Sequence, residues 1–133
     1  MALKDKKIIG APFSNVGEII RVKYDFSDDA GAVGDYDVLE ADGACIVEYM
    51  YMKVVTEVDS SGNACVLDLG KGDGGTEYHS DLAESSLGVD AINTPIAEDR
   101  FLELTDGEKI VLGIEGEAAT AGMFEMVFKI YKK

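Results

Sequence analysis

A chain of 133 residues with 47% hydrophobic content is long enough for one modest core and too apolar for global disorder. Its formal net charge of −14, from 26 Asp and Glu against 12 Lys and Arg, argues against nucleic-acid binding, because a phosphate backbone would repel it. No stretch approaches the roughly 20 consecutive apolar residues that span a bilayer. The opening MALKDKKIIGAPF lacks the apolar centre of a secretory signal, and its lysines fall short of the about four to eight that dock a membrane. A soluble protein made in the cytoplasm, with no membrane and no nucleic acid among its partners, is expected.

Residues 1–15 form an N-terminal arm: Lys4, Lys6 and Lys7 are polar, Ile8 and Ile9 apolar, and Gly10, Pro12 and Asn15 break regular structure. Such an arm can be a short edge strand or reach onto a neighbour. Residues 16–133 make the single folded domain. Within it, 16–26 alternates, with Ile20, Val22, Tyr24 and Phe26 on one face and Arg21, Lys23 and Asp25 on the other. Residues 27–35 are a loop and 36–41 a short strand. Asp42-Gly43 is a turn dipeptide with strong hairpin preference.

Residues 44–58 are the longest apolar stretch, and their β-branched and aromatic content favours a strand. Their alternation is imperfect, as it is where both faces of a strand are covered. DSSGN then supplies a hairpin turn, and 64–69 return as a strand. On that geometry Cys45 and Cys65 lie far apart, and no disulfide is expected. GKGDGG at 70–75 lacks the ending and the strand–loop–helix context of a phosphate loop and reads as a flexible loop. Residues 76–92 are the one helical candidate, with a turn or two of helix near 80–87. Residues 99–105 and 108–115 are partner strands around Asp106-Gly107. The last segment, 122–132, sets Phe124, Met126, Phe128 and Ile130 on one side. Seven or eight strands with frequent turn signals indicate an all-β antiparallel sandwich, jelly-roll-like.

Charge follows position. Lys4, Lys6, Lys7, Arg21 and Lys23 lie near the start and Lys129, Lys132 and Lys133 near the end. The middle is almost purely acidic, with only Lys53, Lys71, Arg100 and Lys109 as cations. If the two ends meet in the fold, the molecule has one weakly basic side and one strongly acidic side.

Candidate chemistry is sparse. His79 is the sole histidine, and no nucleophile accompanies it, so it reads as a surface or loop residue. Asp28, Asp29 and Asp35, or Asp59 with Asn63, offer oxygen ligands to calcium but without the EF-hand pattern, and read as solvated acidic loops. No metal, cofactor or catalytic residue is assigned, and no enzyme is expected. Tyr49, Tyr51 and Met52 fit core packing or a subunit contact. The basic and apolar set Lys4, Lys6, Lys7, Ile8, Ile9 and Phe13 fits docking on a partner.

The segments MALKDKKIIGAPFSNVGEIIRVKYDF and EGEAATAGMFEMVFKIYKK resemble capsid decoration, or cement, proteins of tailed bacteriophages. The resemblance implies a β-sandwich or jelly roll on the outside of an icosahedral shell, partnered by the major capsid protein and often trimeric, with no catalytic residues. A phage tail, neck or head-fibre component shares these features. A sugar- or calcium-binding β-sandwich module is the alternative from another class.

Overall fold

In the computed structural model, which describes residues 1–10, 17–95 and 100–132, two sheets pack face to face. One runs β1 (Ala2–Gly10), β3 (Gly34–Asp42), β9 (Lys109–Glu115), β5 (Val66–Lys71) and β6 (His79–Ala83). The other runs β2 (Glu18–Asp25), β10 (Ala119–Lys132) and β4 (Cys45–Ser60), with the short β7 (Ile92–Asn93) and β8 (Phe101–Leu104) along the far edge of β4. The sandwich is antiparallel except for β1, which lies parallel to β3.

The two clearest alternations become neighbours. β2 and β10 pair antiparallel, with Tyr24 opposite Phe124 and Val22 opposite Met126. These four side chains are buried, and the Tyr24 and Phe124 rings stack at 5.0 Å. The last strand thus lies beside β2, whereas β1, with Lys4, Lys6 and Lys7, joins the other sheet beside β3, so the cations of the two ends are divided between the sheets. Phe26 leaves the strand and opens a one-turn helix, α1 (Phe26–Asp29), inside the expected loop, with Asp25 accepting the Ser27 N–H as its N-cap. The helical candidate near 80–87 is a strand, β6, followed by a 3₁₀ turn at Glu84–Ser86.

The turns at Asp42-Gly43, DSSGN and Asp106-Gly107 are not hairpins. β3 and β4, β4 and β5, and β8 and β9 each lie in opposite sheets, so each turn is an arch across the sandwich. A glycine turn reverses the chain but does not choose its partner. An arch stacks the apolar faces of the joined strands against each other, where a hairpin would set them side by side. The arches support one another: Gly43 N–H donates to Asp106 Oδ1, and Gly107 N–H to the Ala41 carbonyl.

The broken alternation of β4 has a specific cause. Tyr51 pairs with Val127 and Tyr49 with Phe128, so Met50 is an extra residue opposite no partner; Val55 is a second. The bulge at Met50 flips the inward parity, which is why Val47 and Tyr49 and then Met52 and Val54 are buried. Cys45 and Cys65 are buried free thiols.

Candidate interaction surface

The cationic N-terminal segment is an edge strand whose charges are already matched. Lys4 Nζ lies 3.3 Å from Asp28, Lys6 Nζ 2.7 Å from Glu40, and Lys7 Nζ 2.7 Å from Asp5. Ile9 is 1% exposed and belongs to the core, whereas Ile8 is 57% exposed. Phe13 lies outside the described residues. The expected docking set is thus divided: β1 offers Ile8 and the Lys4 head group to solvent but no unbalanced basic patch.

Tyr49 and Met52, expected at a subunit contact, are fully buried within the chain's own core and present nothing to a partner. Tyr49 packs on Tyr78 and Phe128, and its hydroxyl lies 2.8 Å from His79 Nε2 and 3.2 Å from the Asn93 carbonyl. One hydroxyl proton cannot serve both; both contacts are hydrogen bonds when Nε2 carries the histidine proton and donates to Tyr49. His79 is therefore a buried link between the sheets, not a surface residue, and burial pushes its pKa down to about 4. At neutral pH the ring is therefore uncharged and enclosed.

Tyr51 faces the other way, on the outer side of the β2–β10–β4 sheet. Register defines that face. Lys23, Glu125 and Lys53 form one row; Arg21, Val127 and Tyr51 the next; Ile19, Lys129 and Glu48 the third. Beyond β4, Ile92 pairs with Lys53 and Phe101 with Glu48. Val127 points outward yet is 1% exposed, so its neighbours cover it. The Tyr51 hydroxyl and Glu125 hold the Arg21 guanidinium and raise its pKa further. At the β8 end Tyr131 Oη donates to Glu48, the Tyr131 and Phe101 rings touch, Arg100 lies over Phe101 and Lys129 over Tyr131.

The opposite outer face is acidic. Asp35, Gly113 and Asp68 form one row across β3, β9 and β5, and Asp37 and Glu40 the flank toward β1, where Lys6 and Lys109 offset them. Asp68, Asp81 and Glu115 bring carboxylate oxygens within 4.8 Å of one another, a juxtaposition invisible in a sequence that spreads them over three strands. The charge of Asp68 and its hydrogen bond raise the Glu115 pKa. The loop carboxylates singled out from sequence have other work. Asp29 accepts the Lys4 and Asp25 N–H groups, and Asp35 accepts that of Gly74. GKGDGG closes a tight turn, with Gly75 N–H bonded to the Gly72 carbonyl, and Lys71 pairs with Glu108 at 3.0 Å.

The fold is similar to that of a chain in a solved structure described as the cyanophage Pam1 capsid asymmetric unit, with a TM-score of 0.57 and 17% identity over 92% of this chain and 91% of that one. No protein-family model and no curated protein matches the sequence.

Proposed function

We propose that this chain is a non-enzymatic structural protein of a phage particle, one that binds the outside of an icosahedral shell as a homotrimer and stabilises it through the major capsid protein. The observation that carries this is the end-to-end likeness to a chain of a phage capsid asymmetric unit: each covers nine-tenths of the other.

A protein that binds only the assembled lattice stabilises it by mass action. Three joined copies multiply weak single contacts through effective concentration. The strongly acidic remainder keeps the unbound protein soluble and discourages self-aggregation.

The test is reconstitution. Purified protein is added to expanded shells lacking it, and occupancy is read by micrograph reconstruction beside the temperature at which shells burst. Density on the outer surface with a higher bursting temperature is expected. Absence of bound density at saturating protein rejects the function, and a light-scattering mass of one 14.3 kDa chain, free and shell-bound, rejects the trimer.

A further inference from the structure

We infer that the outer face of the β2–β10–β4 sheet is the docking face, and that its occupant is an acidic protein surface with apolar ground between its carboxylates. The inference rests on the shell-binding function above and replaces the N-terminal strand as the contact that carries it.

Three observations converge. The first is charge. Arg21, Lys23, Lys53 and Lys129 share this face with Asp25, Glu48, Glu103 and Glu125, close to balance, while on the other outer face Asp35, Asp37, Glu40, Asp68 and Glu115 outnumber Lys6 and Lys109. In a molecule of net charge −14, an acidic partner meets less repulsion on this face than on the opposite one. Among the described residues, Lys53 and Lys129 stand outside the ion pairs that tie Arg21 to Glu125, Lys23 to Asp25 and Arg100 to Glu48. They remain available to a partner's carboxylates.

The second is apolar exposure. Ile19, at 55%, Ile92, at 61%, and Phe101, at 49%, belong to this sheet, and Val55 and Val89 border it. They are spaced between the cations rather than gathered in a stripe, the mixture found where an apolar interface centre is framed by charge.

The third is composition. Arg21, Arg100, Tyr51 and Tyr131 are of the types enriched at binding hot spots. Several are already held in place: Tyr131 by Glu48, and Arg21 by Tyr51 and Glu125. Side chains ordered before contact lose less entropy on binding.

The experiment compares two variants in the shell-binding assay, each checked for the wild-type melting transition. Lys53→Glu with Lys129→Glu reverses the unpaired cations of the sheet face; Lys4→Glu with Ile8→Ser alters the exposed part of β1. The first should weaken shell binding at least tenfold and the second less than threefold. Acetylation footprinting of wild-type protein, which needs no variant, should show Lys53 and Lys129 protected on the shell and Lys4 still reactive. Wild-type binding that survives the first variant, with Lys53 and Lys129 still reactive, overturns the docking face while leaving shell binding intact. Wild-type protein that binds no shell overturns both. If the first variant only dissociates an oligomer while shell occupancy per chain is unchanged, the face joins copies of this chain and the assignment to an acidic partner is wrong.

Discussion

Asp5 accepts the backbone N–H of Lys23 at 2.8 Å, so a side chain on the edge strand of one sheet caps the edge of the other. Asp29 does the converse, accepting the Lys4 N–H of β1 at 2.7 Å. Open strand edges invite pairing with other chains, and carboxylates bound to their N–H groups block it.

Replacing Asp5 tests this closure. Asp5→Ala removes the acceptor and should cost about 1 kcal/mol in urea unfolding, with faster self-association in sedimentation. Asp5→Asn keeps an oxygen for Lys23 and should lose much less, since the half-exposed pair with Lys7 contributes little. Equal losses in both variants would assign the effect to the ion pair.

His79 makes the fold acid-sensitive. Its folded pKa of about 4 lies below an unfolded value near 6.5, so the unfolded chain takes up a proton first and stability falls as pH drops through that window. The loss between pH 7 and pH 5 should be about 2 kcal/mol. His79→Gln, which keeps a donor toward Tyr49, should be less stable at pH 7 but should flatten the slope. A slope unchanged in the variant would place the titrating group elsewhere.

Asp68 and Glu115 act in the opposite sense. Because the Asp68 charge raises the Glu115 pKa, their repulsion weakens the fold at neutral pH and is relieved as pH falls toward that raised value. Asp68→Asn retains an oxygen for the Asp81 N–H, bonded at 2.7 Å, and offers an amide to Glu115. A higher melting temperature than wild type at pH 7 is expected, with the gain shrinking on acidification.

Two glycines separate strain from collision. Gly107 has φ +83 and nothing within 4 Å of a would-be Cβ, so Gly107→Ala should cost about 1 kcal/mol for left-handed backbone alone. Gly116 has φ +75, and a Cβ there would sit 2.3 Å from the Ala64 carbonyl oxygen in the adjoining arch. Gly116→Ala should cost at least about 2 kcal/mol more in denaturant unfolding. Equal costs would mean that the arches do not press together.

The strands themselves were legible because alternation is a local property. Any chain that writes Ile20, Val22, Tyr24 and Phe124, Met126, Phe128 at period two can bury those faces only as strands, and their cations must then point outward. Clustering of positive charge at the ends was equally plain. The docking face was half legible: Arg21, Lys23 and Lys129 sit on strands whose alternation aims them to solvent, but Lys53 and Ile92 join them only through register with β10 and β4.

What the sequence determined alone was the identity of the strands other than β1, β6 and β7, the inward faces of β2 and β10, and the uneven placement of charge. Tertiary structure decided that turn dipeptides bridge two sheets, that a bulge at Met50 reverses the faces of β4, that the N-terminal lysines meet Asp28, Glu40 and Asp5, and that His79 is buried. The division is physical. Period and propensity are set by a few neighbouring residues, whereas a strand's partner, a lysine's counter-ion and a histidine's burial depend on which distant surfaces exclude water together.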